Sequence, residues 1–96
     1  MLVWVIYDIS KDKTRNFIVK KVLEYGLQRV QKSVFLGEIE KNRLDELIVF
    51  SENIINEETD SVYIFPMCRK DFDAVITMGL NFDRELVTDE KDSFMI

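Results

Sequence analysis

Asp8 is the residue of this sequence best placed to do chemistry, because it follows an apolar run of β-branched and aromatic residues at positions 2–7. That run predicts a strand that ends at Asp8. A carboxylate at the edge of a sheet suits a hard cation such as Mg²⁺ or Mn²⁺, but one carboxylate alone binds it poorly. Two copies of Asp8 brought together by a two-fold axis could share the ion as its ligands. The plainer alternative is a turn residue that supports Ser10 and Asp12.

The residue types that are missing restrict the remaining chemistry. The sequence has no histidine and one cysteine, Cys68. Intramolecular disulfides, zinc sites of the Cys/His type and histidine-based triads are therefore excluded. Any metal must be held by oxygen ligands, which favours magnesium, manganese or calcium. No base stands near Cys68 in the sequence, and we expect this residue to be a small apolar filler.

Basic residues are concentrated in the first half of the chain. Residues 1–48 carry nine Lys or Arg against seven Asp or Glu, whereas residues 49–96 carry four against eleven, within a net charge of −5. A local basic surface is enough to bind phosphates even in an acidic protein. The predicted nucleic-acid contacts are Lys11, Lys13, Arg15, Arg29 and Lys32. The alternative is that these charges only solvate the surface.

The order of predicted elements indicates an α+β fold. A helix over residues 13–25 begins at Asp12 as N-cap and ends at Gly26. Residues 27–39 predict two short strands, with a turn somewhere between residues 31 and 37. The remaining predicted elements are a helix over 41–56, a strand over 61–65 stopped by Pro66, and a short fifth strand over 74–78.

This β-α-β-β-α-β order is that of the ferredoxin-like sandwich, here with an additional short C-terminal strand. We expect the domain to span residues 1–79, with an acidic tail at residues 80–96 as a dimer or partner contact. The first strand is apolar on both faces, and two helices cover only one face of a sheet. An exposed apolar face is costly, so a homodimer packed sheet to sheet is predicted.

With 96 residues, the chain is expected to form one domain. Its apolar runs are far shorter than the ~20 residues that span a bilayer, so no membrane association is expected. The N-terminus has no basic region and no small-residue cleavage site, which makes the cytoplasm the expected compartment.

A set of short motifs in one order gives a family resemblance. They are Tyr7-Asp8, Asp12-Lys13-Thr14-Arg15, Tyr25-Gly26, Arg29-Val30-Gln31, Ser33-Val34-Phe35, Asp60-Ser61-Val62 and Ile64-Phe65-Pro66-Met67-Cys68. The sequence resembles the second CRISPR-associated (Cas) protein family, the small companion of the spacer-acquisition integrase, over about residues 1–79. It departs from that family at Leu36, where a glutamate is common, and in the acidic segment after Gly79.

The resemblance implies a homodimer that bridges CRISPR integrase subunits and holds double-stranded DNA for insertion into the repeat array. Some family members are described as magnesium-dependent nucleases on single-stranded RNA or double-stranded DNA, with the residue that matches Asp8 as the catalytic metal ligand. The positions matching Tyr7, Arg15, Arg29 and Phe35 are associated with that activity. In other members the activity is absent or dispensable, so the resemblance leaves open whether this chain is an enzyme.

Three alternatives stay open on the residues themselves. A stand-alone, toxin-like endoribonuclease would use the same paired Asp8 without an integrase. A single-stranded RNA binder would use the sheet face, but it needs a Lys/Arg-Gly-Phe motif that this chain lacks. Tyr7 and Phe35 either stack on a base or fill the core, and core packing is the favoured interpretation.

Overall fold

In the computed structural model, which describes residues 1–80, Phe82 and Arg84, a four-stranded antiparallel sheet carries the helices. The elements are β1 (Leu2–Asp8), α1 (Asp12–Glu24), β2 (Gln28–Gln31), β3 (Val34–Glu38), α2 (Lys41–Ile54), β4 (Ser61–Met67) and α3 (Arg69–Asp73). The strand order is β2-β3-β1-β4, so β1 is a central strand. The predicted β-α-β-β-α-β order is confirmed, with α3 added after β4.

The main core lies between the sheet and the helices α1 and α2. Alternation along β1 turns Val3, Val5 and Tyr7 toward the helices, where all three are buried. The core is completed mainly by Ile9, Ile18, Val22, Leu27, Phe35, Ile39, Leu44 and Leu47. Apolar residues spaced three and four positions apart on both helices supply one side of this core.

The opposite face of the sheet is also apolar, as the sequence predicts for β1. We call it the open face; it carries Leu2, Trp4 and Ile6 of β1. One end of it is covered, because Phe72 of α3 packs against Leu2 and Leu36 and is itself buried. The other end is bare: Tyr63 and Phe65, which lie opposite Ile6 and Trp4 in the sheet register, are 56% and 48% exposed. The sheet-to-sheet dimer that would cover this end remains a prediction.

Two turns depend on unusual backbone geometry. Gly26 follows Tyr25, the C-cap residue of α1, and has φ +90°, as its predicted role at the helix end requires. The turn of the β2–β3 hairpin falls at Lys32 and Ser33, and Ser33 has φ +65°. This result fixes the turn that the sequence placed only between residues 31 and 37.

Several predicted boundaries were wrong for identifiable reasons. Pro66 does not stop β4, which continues to Met67, because β4 is an edge strand and an edge tolerates a residue without a backbone N–H. Asp12 is the first residue of α1, and Lys11 takes the N-cap position without a side-chain capping bond. Cys68 is not a filler: it is exposed at the N-cap position of α3.

The predicted fifth strand over residues 74–78 does not form within the single chain. Ala74 lies in a turn after α3, and residues 75–78 have no regular structure. A strand exists only with a hydrogen-bonded partner, and neither sheet edge of this chain receives the segment. Of the predicted acidic tail, only Leu80, Phe82 and Arg84 belong to the described residues; the rest, including residues 94–96, lies outside them.

Candidate metal and nucleic-acid site

Asp8 is the last residue of β1 and is exposed. Because side chains alternate along a strand, Asp8 shares its face with Trp4 and Ile6 and not with the buried Tyr7. Its partner in the ladder is Ser61, the first residue of β4. The carboxylate therefore lies at the rim of the open face, beside the bare apolar end of the sheet.

Three connections meet at this end of the sheet. The backbone N–H of Tyr7 donates to the carbonyl of Ser33 at 3.1 Å, which ties the β2–β3 turn to the end of β1. The N–H of Ser10 donates to Asp60 at 3.0 Å, which ties the β1–α1 loop to the α2–β4 connection. Lys11 and Lys32, both exposed, are thereby placed on the same edge of the molecule as Asp8.

The carboxylate of Asp60 accepts hydrogen bonds from both loops at this edge. One oxygen accepts the backbone N–H of Ser10 at 3.0 Å and the hydroxyl of Thr59 at 3.1 Å, and the other accepts the N–H of Asn56 at 3.0 Å. These bonds, led by those from the Asn56 and Ser10 backbone, hold the pKa of Asp60 below its usual value. In the sequence Asp60 stands only as the first residue of the Asp60-Ser61-Val62 motif, with no role assigned to it, although an Asn and an Asp in a polar connection are typical of side chains that bind nearby backbone.

Arg15 has an internal role next to Asp8. Its guanidinium donates to the carbonyl of Ile9 at 3.0 Å and pairs with the Asp12 carboxylate. Two of its nitrogens are thus committed within the chain, and the side chain is 36% exposed. Lys13, by contrast, is exposed and its ammonium lies 6.0 Å from the ring centroid of Phe17. Of the predicted phosphate contacts in α1 and in the loop before it, Lys11 and Lys13 are therefore more accessible than Arg15.

Arg29, Phe35 and Tyr7 form a layered stack across three strands. The Arg29 guanidinium lies 4.9 Å from the ring centroid of Phe35, its direct ladder partner. Phe35 in turn stacks on Tyr7, with centroids 6.3 Å apart and planes 24° apart. Both rings are buried in the main core, as the core-packing alternative expected, and Arg29 is exposed. Any contact of this stack with a nucleic acid must therefore be made by Arg29.

The donor set at this edge fits a hard cation only in part. A carboxylate oxygen is the right chemistry for Mg²⁺ or Mn²⁺. Within residues 1–80, Phe82 and Arg84, however, no group of three or more His, Cys, Asp or Glu side chains is arranged to hold a metal ion. One chain thus presents Asp8 as a single carboxylate ligand, and a second copy of Asp8 is required to strengthen the site.

The described part of the chain contains no helix long and apolar enough to cross a membrane.

Comparison with known proteins places these features in a family. Residues 1–75 match the family model described as CRISPR associated protein Cas2. The chain is 34% identical over 95 residues to "CRISPR-associated endoribonuclease Cas2 1" of Archaeoglobus fulgidus, covering 99% of this chain and 100% of the relative. It is 35% identical over 79 residues to "CRISPR-associated endoribonuclease Cas2 2" of Pyrobaculum aerophilum, covering 82% and 87%. The structure of Streptococcus pyogenes Cas2 at pH 6.5 superimposes with a TM-score of 0.69 at 30% identity, covering 82% of this chain and all of that one.

Proposed function

This chain belongs to the CRISPR-associated protein Cas2 family, and from this premise we propose that it acts as a homodimeric subunit of CRISPR spacer acquisition. In this proposal the dimer bridges integrase subunits and holds double-stranded DNA for insertion into the repeat array. One observation carries the proposal: Asp8 lies on the same face of the sheet as the exposed apolar residues that a second copy would cover.

The dimer is argued from the cost of the bare end of the open face. Tyr63 and Phe65 stand there about half exposed, although each is large and apolar. Burying such a side chain from full exposure contributes about 1.5–3 kcal/mol, and about half of that remains to be gained when the exposed half is covered. Two-fold symmetry doubles that gain, because each residue then occurs twice in one interface. Packing the open faces together is therefore the association that these residues favour.

The same packing supplies the metal chemistry. Since Asp8 lies at the rim of the open face, a two-fold axis that runs through that face close to Asp8 would bring the two carboxylates toward each other. Paired in this way, they would hold one Mg²⁺ or Mn²⁺. When bound, the ion provides a water of lowered pKa and stabilises the charge that develops on a phosphodiester. The chain's own contribution is to fix the two carboxylates at the end of central strands.

The exposed cations are proposed to hold the nucleic acid by its phosphates. Lys11 and Lys32 lie on the same edge as Asp8, Lys13 is exposed at the start of α1, and Arg29 presents its guanidinium on the edge strand β2. Backbone contacts of this kind are independent of sequence, which suits spacer DNA of arbitrary sequence. The acidic α2–β4 connection, with exposed Glu57 and Glu58, restricts this surface to the side of α1 and the β2–β3 turn.

A second candidate function rests on the names of the relatives, which describe endoribonucleases. In this version the paired Asp8 residues cleave single-stranded RNA, with or without an integrase, as a toxin-like enzyme would. The two functions differ in what they require. The scaffold needs the dimer and its cations, whereas the nuclease also needs the Asp8 carboxylates.

The deciding experiment is in vitro spacer integration with the cognate integrase, comparing wild type, Asp8→Asn and the control Glu58→Gln. Glu58→Gln removes one exposed carboxylate from the adjacent connection and leaves Asp8 intact. If Asp8→Asn forms dimers and binds duplex DNA but fails to integrate it, Asp8 does metal-dependent work. Normal integration by Asp8→Asn would instead establish the scaffold, and a parallel RNA cleavage assay would then test the nuclease separately.

A further inference from the structure

Both ends of one peptide group next to Asp8 are held by charged side chains. The carbonyl of Ile9 accepts from the Arg15 guanidinium at 3.0 Å, and the N–H of Ser10 donates to the Asp60 carboxylate at 3.0 Å. Ile9 and Ser10 are consecutive, so this carbonyl and this N–H belong to the same peptide group. The cation sits at its negative end and the anion at its positive end.

The two charged groups come from elements far apart in the chain. Arg15 lies in the first turns of α1, six residues from Ile9, and Asp60 precedes β4, fifty residues from Ser10. Hydrogen bonds with one ionised partner are about twice as strong as those between neutral groups. The Ile9–Ser10 peptide is therefore fixed relative to both α1 and β4, and the buried Ile9 side chain fixes it to the core as well.

We propose that Arg15 and Asp60 are positioning residues for Asp8, acting through the Ile9–Ser10 peptide that they hold in common. Asp8 is the last residue in the β1 ladder, and the chain leaves the sheet directly after it. On one side the ladder fixes it opposite Ser61. On the other side the Ile9–Ser10 peptide limits its backbone, and so limits where its carboxylate points. This inference rests on the proposed role of Asp8 as a metal ligand.

The bonds around Asp60 hold in place the carboxylate that binds Ser10. Its oxygens are filled by donors from Ser10, Asn56 and Thr59, so that the carboxylate is itself held in one orientation. Asp60 is ionised at neutral pH, as an aspartate normally is, so the bond that it accepts from Ser10 has a charged acceptor. Groups that orient a metal ligand without touching the metal typically change metal affinity by about 10–100-fold when removed.

The test uses Mn²⁺ alone as the probe and measures paramagnetic broadening of backbone amide signals around Asp8 in the dimeric protein. Wild type should bind Mn²⁺ there, and Asp8→Asn should not. Asp60→Asn keeps the side-chain size but replaces one acceptor oxygen with an NH₂ donor, so it cannot accept from the N–H groups of Ser10 and Asn56 together. Arg15→Lys keeps the charge but loses the guanidinium fork that reaches Ile9 and Asp12 together. Each variant should weaken Mn²⁺ binding by about tenfold. Glu58→Gln is the matched control, because it neutralises a carboxylate of the same connection without contacting Ser10, and it should bind as wild type does.

The double variant Arg15→Lys/Asp60→Asn separates positioning through one peptide from two unrelated effects. If both residues act through the Ile9–Ser10 peptide, either single variant already releases that peptide and causes most of the loss of Mn²⁺ affinity. The double variant should then lose much less than about hundredfold in Mn²⁺ affinity. Fully multiplicative losses would overturn the inference. So would wild-type Mn²⁺ binding by Asp60→Asn and Arg15→Lys. If the wild-type protein shows no broadening near Asp8, the metal proposal itself is refuted, and this inference with it.

Discussion

Tyr63 and Phe65 stack on each other on the open face, with ring centroids 6.3 Å and ring planes 12° apart. They stand on an edge strand, next to β1, and about half of each residue is accessible. A stacked aromatic pair in this position forms a flat apolar surface that a second copy of itself can match. The dimer prediction can therefore be tested at these two residues.

Phe65→Asp should convert the dimer to a monomer. Phe65 is already about half buried in the single chain, so the change removes from the interface roughly half of the 1.5–3 kcal/mol of full burial per chain, and it places a charge there. The measurement is molar mass by light scattering across a range of protein concentration. The control is Val49→Asp, which adds the same charge at a residue of α2 that is 56% exposed and lies away from the open face. A dimeric Phe65→Asp protein would contradict sheet-to-sheet packing.

The sequence predicted the parts of the fold that depend on periodicity. The apolar residues on both faces of β1 indicated a second covered face, and the alternation that buries Tyr7 also puts Asp8 on the other side. Gly26 marked the end of α1 because the backbone there needs a positive φ. Each of these features follows from neighbouring residues alone.

The role of Asp60, the helix α3 and the end of β4 were not predicted, because they depend on contacts between residues far apart in the sequence. Asp60 reads as an ordinary turn residue until β4 is placed beside β1, and only then does it meet Ser10. The five-residue helix α3 has a single buried residue, Phe72, and too few positions to show a helical period. Pro66 was read as a strand end because the edge position of β4 was unknown.

Phe35→Ala should destabilise the fold by about 3–5 kcal/mol, since the ring is fully buried in the main core. Urea unfolding followed by circular dichroism measures this loss. Phe17→Ala is the matched control: it removes the same ring where it is 46% exposed, and should cost clearly less. Equal losses would mean that Phe35 does not have the structural role assigned to it. Loss of nucleic-acid binding in Phe35→Ala should then be accompanied by loss of stability.

Stability should fall in acid in a way that depends on Asp60. Its hydrogen bonds lower its pKa in the folded chain below the usual 3.8, so the ionised form favours folding. That contribution is complete above about pH 4 to 5 and is lost as the pH falls through the lower, folded pKa. Urea midpoints of wild type and Asp60→Asn should therefore differ at pH 6 and converge as the pH falls below the usual 3.8. A difference that stays constant over this range would show that ionisation of Asp60 does not stabilise the fold.

Truncation after Gly79 should lower the stability of the fold, because residues beyond Gly79 contact the rest of the chain. It should also weaken partner binding if the tail is a partner contact. Phe82 packs edge-on against Trp4, with centroids 5.8 Å apart, and Arg84 donates to the carbonyl of Phe72 at 3.2 Å. We expect a lower unfolding midpoint for the truncated chain than for the full chain. Phe82→Ala separates the two effects, because it removes the contact with Trp4 and keeps the acidic segment. If the predicted tail is also a partner contact, truncation should reduce integrase binding more than Phe82→Ala does.

Duplex DNA binding should depend on salt through the lysines that flank Asp8. Each lost phosphate contact lowers the slope of log affinity against log salt by about 0.9. Lys32→Gln, at the exposed β2–β3 turn, should reduce the slope by up to that amount and weaken binding equally for unrelated DNA sequences. Lys70→Gln is the control, because this variant removes the same charge far from Asp8. Lys70 is exposed on α3, which follows the end of β4 opposite Ser61. If the two variants behave alike, the protein attracts DNA only by its overall charge, and the edge around Asp8 is not the binding surface.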